Sequence, residues 1–517
     1  MASQIGKASA IIMVCAMADK ILAIGKEVLT ARRFGVSASL DVYNVAYSFP
    51  GTVVTLFAAV LVSAFVPLYI EWTNRTSLQD ADSHATWLIY VTAMFFLILY
   101  AICYFLSPLI IQLFGYGFDP DRKLLGVAIE RLIVVLIFID GAGILLRGVL
   151  HARKMFFHLY VAPIFVNVVT ILFLIFNAKL GIYVLAWGLL IGTLLRTAYM
   201  VIALRHEGFL FKRTLPFDPQ KMKAVWLLAL PMLGSDLIAN SNMIVDQVMA
   251  TQLPAGSVST LRYAFRINDF PIQVIITAVS RAIFPFISEY AAAGNHDNLK
   301  KVYKYSLIFL GFLTIPITCL VILFSGDIVA ILLKRGAFDA VAARHTSHAL
   351  ACYSLGLFFY GYTFVNGSFF AALQSTKTLL YMGFVSIALN VIFNFVFMHF
   401  WGAKGIALST SVTMCIISIW FIFLLKRRLG IFDMTEILSN IYRILFAAAC
   451  MLGAGFLTLR LFKMISAGRW VYFPITGALT CAVYLGVVWM FRTEDIASCL
   501  DALMRMGRKM IRRKAHS

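Results

Sequence analysis

The sequence predicts an all-α polytopic membrane protein, with about 14 transmembrane helices arranged as two pseudo-symmetric six-helix lobes and two C-terminal helices. Three observations support this fold class. The chain of 517 residues is 61% hydrophobic and only 13% charged, whereas soluble domains carry roughly 25% charged residues. Apolar runs of about 20 residues, long enough to cross a bilayer core, recur along the chain. The third observation is an internal repeat.

The predicted transmembrane helices follow one another with short connections, none of which is long enough to form a soluble domain. In the first lobe they lie near 8–31, 41–70, 86–114, 124–150, 157–178 and 182–204. In the second lobe they lie near 224–250, 258–287, 302–333, 346–373, 378–400 and 404–425. The last two lie near 440–462 and 470–491.

The repeat appears as a constant offset between similar segments. YSFPGTVVTLFAAVLVSAFVPLYIEW (47–72) resembles NDFPIQVIITAVSRAIFPFISEY (268–290), and the offset of 221 that joins their Phe-Pro pairs also joins Gly181 to Gly402. Such self-similarity predicts two homologous lobes, 1–210 and 215–428, with helices 13 and 14 (436–492) and a basic tail (493–517) outside the repeat. Transporters built from repeats bind substrate where the repeats meet.

The net charge of +20 is unevenly distributed. Lysines and arginines concentrate in the even-numbered connections and in the tail: Arg153 and Lys154, Arg205 to Lys223, Lys300 to Lys304, Lys426 to Arg428 and Arg505 to Lys514. The positive-inside rule therefore places both termini in the cytoplasm. We interpret the tail as an anchor for anionic membrane lipids and expect no nucleic-acid partner. The scattered cysteines predict neither a disulfide framework nor a metal site.

The first predicted helix carries four charges at membrane depth, where each costs about 2.5–3.5 kcal/mol on insertion scales. They are Asp19, Lys20, Lys26 and Glu27. Asp19 and Lys26 lie seven residues apart, as do Lys20 and Glu27, so each pair shares a helix face across two turns. No pair has the three- or four-residue spacing of neighbours on a helix. These side chains therefore need partners on other helices, or water.

Candidate partners lie in helices 2, 7 and 8, which, with helix 1, are the first helix pairs of the two lobes. They are Asp41, Asp236, Asp246, Arg262, Arg266 and Asp269. If the lobes are related by a pseudo-two-fold axis, these groups meet across a central cleft. One interpretation is a set of interlobe salt bridges. The one we favour is a hydrated cationic cavity for an anionic head group, because lysine and arginine are the usual phosphate binders.

Several segments resemble the MurJ/MviN family of lipid II flippases in the MOP superfamily. They are RGVLHARKMFFHLYVAP (147–163), LPAGSVSTLRYAFRINDFP (253–271), LLKRGAFDA (332–340), ALQSTKT (372–378) and AKGIALSTS (403–411). The resemblance implies lobes that alternate between inward- and outward-facing states, and a groove in helices 13 and 14 for a polyprenyl tail.

The same resemblance carries site residues onto this chain. Lys20 and Lys26 stand where the family has arginines, while Arg266 and Asp41 match its helix 8 arginine and helix 2 aspartate. Val54 replaces a further arginine and Ala59 an acidic residue. Positions that bind sodium in some members match Asp236, Asn390, Asn394 and Thr410. Asn394 replaces an acidic ligand, so we favour polar packing over a sodium site there, and coupling to Na⁺, H⁺ or the membrane potential stays open.

The sequence thus predicts a flippase, not an enzyme, that moves a polyprenyl-diphosphate-linked saccharide, lipid II, to the periplasmic leaflet of the bacterial inner membrane. Lys20, Lys26, Arg262 and Arg266 would bind the diphosphate. The gating or charge partners would be Asp19, Glu27, Asp41 and Asp269, and cell-wall synthesis proteins are possible partners.

The alternatives are of different classes. A flippase for exopolysaccharide- or O-antigen-type lipid-linked oligosaccharides would share this scaffold. A MATE-like exporter of cationic drugs would need an acidic cavity and only 12 helices. A glycosyltransferase or ligase would need a catalytic loop or carboxylate pair, and a non-transporting scaffold would not depend on Lys20 and Lys26.

Overall fold

A computed structural model describes residues 2–209, 211, 219–430, 434–464, 468–491 and 497, with the backbone alone for residues 2–11 and for many residues between 220 and 240. Across these residues the chain is helical. The helices are α1 (Ala2–Phe34), α2 (Ala38–Arg75), α3 (Leu78–Phe114), α4 (Pro120–Ile133), α5 (Val135–Ala152), α6 (Phe156–Phe176), α7 (Tyr183–His206), α8 (Pro219–Ala250), α9 (Ser257–Pro271), α10 (Thr277–Ala292), α11 (His296–Leu332), α12 (Ala340–Leu355), α13 (Leu357–Ala372), α14 (Thr376–Trp401), α15 (Ala403–Leu429), α16 (Met434–Met464) and α17 (Arg469–Met490). A short 3₁₀ helix (Ala178–Leu180) and a π-helical segment (Ile272–Ile276) complete the set.

Eleven helical segments of the described residues are long and apolar enough to span a membrane. This agrees with the predicted all-α membrane fold, whereas the predicted count of about 14 helices is not confirmed. Two further predicted spans fall on α1 and α8, whose side chains are described only in part. The remaining one, near 346–373, is divided at Gly356 into α12 and α13, each of 16 residues.

The chain forms two compact units. The first contains Met1–Ser259 and Leu333–Asp339, and the second contains Thr260–Leu332 and Ala340–Ser517. Helix α8, which the repeat assigns to the second lobe, packs against α2 and α3 within the first unit. Compactness and sequence repetition are different criteria, so the lobe bounds 1–210 and 215–428 stay a prediction. Residues 493–496 and 498–517 of the tail lie outside the described residues.

Residues with positive φ recur at the same offset as the similar sequence segments. Gly35 and Gly256 both adopt positive φ, as do Gly181 and Gly402, and both pairs are separated by the predicted offset of 221. Lys154 (φ 59°) and Gln374 (φ 54°) form a third such pair, at an offset of 220. For residues other than glycine the left-handed region costs of order 1–2 kcal/mol, so its recurrence in both halves supports the predicted pseudo-symmetry.

Helices α16 and α17, outside the repeat, pack within the second unit. Their buried residues, among them Ile444, Met451 and Tyr484, join the core built by α11, α13 and α15. The Tyr484 hydroxyl donates to the Phe312 carbonyl at 2.8 Å. At the helix ends, Lys304 pairs with Glu436 and Arg469 with Asp327. Both helices are therefore held against α11, and the predicted tail-binding groove at 436–492 stays a prediction.

Within the first unit, the segment Leu333–Asp339 packs against the turn between α1 and α2. The Ala337 amide donates to the Arg32 carbonyl at 2.8 Å. A Cβ atom on Gly35 would lie 2.4 Å from the Ala337 carbonyl oxygen, and one on Gly336 would lie 2.4 Å from that of Arg32. Two glycines at positive φ therefore allow two backbones to meet, which explains the glycine of the LLKRGAFDA motif.

We predict that Gly35→Ala lowers the free energy of unfolding by about 2–4 kcal/mol, because the methyl group combines a strained φ with a backbone clash. The matched control is Gly25→Ala on α1, where an added Cβ meets nothing within 4 Å. Thermal unfolding of both variants in detergent tests this, and equal unfolding temperatures would refute the close approach.

Candidate functional site

The charged residues of α1 differ in their surroundings. Asp19 accepts a hydrogen bond of 2.9 Å from the side-chain amide of Asn167 on α6. Lys26 and Glu27 are half-buried, and Lys20 is exposed. Asp19 thus has the partner on another helix that its position required, although the partner is a neutral amide. Of these four charged side chains, Lys20 is the exposed one, so solvent or a ligand can reach its ammonium group.

Asp41 is a buried acceptor in the first turn of α2. Its side chain is 2% exposed, and its carboxylate accepts from the Gly256 amide at 2.6 Å and from the Ser259 amide and hydroxyl at 2.7 and 2.6 Å. Asn44, one turn later, donates to the same hydroxyl at 3.3 Å. Gly256 makes this approach possible, because its φ is +91° and a Cβ would lie 2.7 Å from the Val36 carbonyl oxygen.

These contacts give Asp41 a fixed role in this conformation. Its carboxylate joins the start of α2 to the turn that begins α9, through amide and hydroxyl donors. The alternation with a lysine expected from the sequence stays a prediction. In this conformation the contacts that hold the carboxylate come from the turn at 256–259.

In the second unit, Arg262, Arg266 and Asp269 lie along one side of α9 at four- and three-residue spacing. Arg266 is exposed, whereas Arg262 and Asp269 are half-buried. Asp269 accepts a long hydrogen bond of 3.4 Å from Gln273. The π-helical segment Ile272–Ile276 follows directly, an irregularity that is frequent at functional sites.

The residues matched to a sodium site make hydrogen bonds within the protein. Asn390 and Asn394 are fully buried, and the Asn394 amide donates to Asn390 Oδ1 at 3.2 Å. The Thr410 hydroxyl donates to the Ile406 carbonyl. The Asp236 side chain lies outside the described residues. The three described side chains are neutral, so polar packing agrees with their contacts, and the sodium site stays a prediction. The described chain contains no cluster of three or more His, Cys, Asp or Glu residues.

Two ionic clusters inside the first unit were not recognised from the sequence as connected groups. Asp140 on α5 pairs with Arg196 on α7, and Arg147 lies 3.6 Å from the same carboxylate oxygen. Their side chains are 13–23% exposed. Two arginines around one aspartate leave surplus positive charge within membrane-spanning helices, which is costly unless paired or functional. The separation of 56 residues between Asp140 and Arg196 gives no signal in the sequence that the two side chains pair.

The second ionic cluster joins α2, α3 and the end of α5 in the first unit. Arg153, just after α5, donates to Asp82 on α3 at 2.6 Å and to the Tyr69 hydroxyl of α2 at 2.9 Å. Tyr69 itself donates to Asp82 at 2.7 Å. Burial lowers the pKa of Arg153, but the hydrogen bonds to Tyr69 and Asp82 raise that pKa by more, so the guanidinium stays charged. Three helices are thereby fixed by one ion pair.

We predict that Asp41→Asn lowers the free energy of unfolding by about 1–3 kcal/mol, because one amide group cannot accept from all three donors. The exposed Asp121→Asn, which removes the same charge from the first turn of α4, is the control. Thermal unfolding measures both. Wild-type stability combined with altered transport would instead assign Asp41 a gating role without a structural one.

Two helical units with cations on membrane-spanning helices, and no soluble domain among the described residues, define a multi-pass membrane protein of the transporter class. A sequence model of the family described as lipid II flippase MurJ matches residues 30–473. The chain belongs to this family.

Individual relatives support this assignment. A probable lipid II flippase MurJ of Rhizobium meliloti (strain 1021) is 26% identical over 474 residues, covering 89% of this chain and 86% of the relative. The counterpart from Rhizobium tropici is 25% identical over 406 residues, covering 77% of this chain and 76% of the relative. Together with the apolar helices, they support a multi-pass protein of the bacterial inner membrane.

Solved structures give the same fold. A lipid II flippase MurJ in an inward closed conformation matches with a TM-score of 0.77 at 25% identity, covering 93% of this chain and 98% of that one. An inward-facing multidrug resistance MATE family transporter of the MOP superfamily matches with a TM-score of 0.69 at 14% identity, covering 81% and 98%. The second match supports the fold alone.

Proposed function

We propose that the protein is a lipid II flippase that moves its substrate from the cytoplasmic to the periplasmic leaflet of the bacterial inner membrane. The observation that carries the proposal is the family match over residues 30–473. The protein acts as a transporter, not as an enzyme. Both termini lie in the cytoplasm, as the distribution of lysine and arginine requires.

Lys20, Lys26, Arg262 and Arg266 are proposed to bind the diphosphate of the lipid-linked glycan. A cation at membrane depth is costly when isolated, and a diphosphate supplies the counter-charge. Lysine binds phosphate as a point charge, whereas arginine can bind it through two parallel hydrogen bonds. The exposed Lys20 and Arg266 would meet the anion first, while the half-buried Lys26 and Arg262 would strengthen the local positive field.

Transport requires that the substrate bind two conformations with different affinity, because a ligand shifts an equilibrium only by that difference. Asp19, Glu27, Asp41 and Asp269 are the carboxylates proposed to compete with the diphosphate for the cations. Since moving one charge through 100 mV is worth about 2.3 kcal/mol, the membrane potential could reset the cycle. The basic tail would bind anionic lipids, and cell-wall synthesis proteins would be partners in the membrane.

A related substrate is the second candidate. Val54 and Ala59 replace charged residues of the family, and lysines replace its arginines at positions 20 and 26. Lysine cannot bind a phosphate through two parallel hydrogen bonds as arginine can. This difference in the binding site favours a polyprenyl-diphosphate-linked oligosaccharide other than lipid II as the second candidate. A cationic drug, by contrast, would be repelled by Lys20 and Arg266.

We predict that the wild-type protein restores externally accessible lipid II in cells depleted of their own lipid II flippase. Lys20→Ala, Lys26→Ala and Arg266→Ala should each lower flipping about tenfold or more, the size expected for a lost charge-assisted contact. Lys20→Arg and Lys26→Arg keep the charge and should retain flipping.

The control is Lys179→Ala, which removes one exposed cation within the 3₁₀ helix Ala178–Leu180. Membrane levels of every variant are compared with the wild type. Normal levels without wild-type rescue would favour another lipid-linked glycan. Rescue that survives all three substitutions would assign the cations a structural role and contradict the proposed binding site.

A further inference from the structure

A cationic pocket lies at the end of the second unit where α12 and α15 begin. Its volume is about 510 Å³, and its lining includes Arg344, His345 and His348 of α12, Lys404 of α15, and Trp401 at the end of α14. None of these residues belongs to the diphosphate-binding set proposed above. The four basic or titratable side chains are exposed, so a ligand can reach them.

The pocket concentrates charge of one sign. Lys404 and Arg344, which are both cationic, and His345 lie close enough to His348 to act on it electrostatically. Among the described residues that line the pocket, none carries a carboxylate. Like charges held together destabilise the folded state, and a bound anion would remove that cost.

The repeated scaffold does not require most of this charge. The corresponding places in the first half are occupied by KLLGVA (123–128) and by Tyr183, where Lys123 matches Arg344 and is the one basic residue. Lys404 and the two histidines are therefore a property of this end of α12 and α15, not of the repeat.

The surroundings indicate the chemistry of the anion. Guanidinium and ammonium groups together recognise phosphate oxygens. Ala340 and Ala403, the first residues of α12 and α15, also line the pocket, so two helix N-termini add partial positive charge. Trp401 is 47% exposed at the end of a membrane-spanning helix, where indole rings sit at the level of lipid head groups.

We propose that this pocket binds a phosphate group, presented either by the head group of an anionic phospholipid or by phosphate in solution. Binding neutralises the cluster and stabilises the packing of α12 against α15. The site is independent of the transport substrate, so loss of flipping activity would not by itself test it.

The test compares full-length wild type with the double variant Arg344→Gln, Lys404→Gln in neutral detergent. Thermal unfolding is followed during titration with phosphatidylglycerol, phosphatidylcholine or inorganic phosphate. Phosphatidylglycerol should raise the unfolding temperature of the wild type saturably, and phosphatidylcholine should not. The double variant should need about tenfold more phosphatidylglycerol, because two cations that attract the head group are gone.

Two further variants separate binding from folding. Lys301→Gln with Arg428→Gln removes two exposed cations elsewhere in the same unit and should titrate like the wild type. Arg344→Lys keeps the charge and should retain most of the affinity. Without added anion, the Arg344→Gln, Lys404→Gln variant should unfold at the wild-type temperature or above, because like-charge repulsion is relieved.

The outcomes distinguish the sources of the phosphate. Saturable stabilisation by phosphatidylglycerol alone assigns a lipid head group, whereas an equal effect of inorganic phosphate assigns a soluble ligand. No stabilisation by either, or an identical response in the wild type and the pocket variant, would overturn the proposal.

Discussion

Charge inside an apolar surrounding is the constraint on which much of this structure depends, because hydrocarbon solvates neither ions nor free backbone groups. The chain satisfies it in different ways. Asp41 is held by two amides and a hydroxyl, Asp19 by the neutral amide of Asn167, and Asp140 by ion pairing with arginine. Each solution also joins separate helices, so the groups that are expensive to place in a membrane are the ones that fix the helix packing.

The apolar core determines which helices pack together less specifically than these polar contacts do. Hydrophobic contact offers little preference between one helix partner and another when lipid tails are equally apolar, so close packing and polar contacts decide. The Arg153, Asp82 and Tyr69 cluster illustrates this in the first unit, and the pairs of α11 with α16 and α17 illustrate it in the second. Lys20 and Arg266 are exposed cations that a ligand can reach, which is the physical basis of the proposed flippase function.

The membrane-spanning helices and the internal repeat could be predicted from the sequence, because apolar runs and a constant offset between similar segments can be read directly from the order of the residues. The hydrogen-bond partners of Asp41 could not be predicted, because every residue except proline has a backbone amide, and neither composition nor spacing shows that those of Gly256 and Ser259 contact this carboxylate. Arg196 was missed for a similar reason: nothing in a stretch of apolar residues shows which of two distant helices will face Asp140. The division of one predicted helix at Gly356 into α12 and α13 could not be predicted either, since a glycine inside a helix is often tolerated.

The helix ends at Lys154 and Gln374 have a wider consequence. At the first, the amides of Lys154 and Met155 donate to the carbonyls of His151 and Leu150, and at the second the amides of Gln374 and Ser375 donate to those of Ala371 and Phe370. Both are Schellman motifs, in which glycine usually occupies the left-handed position. Here neither half has the glycine, and the two residues differ from each other. The two halves therefore share one pattern of main-chain hydrogen bonds at these helix ends, but not the side chains that occupy it. The way these helices end is set by the backbone, and residues as different as lysine and glutamine can take the left-handed position.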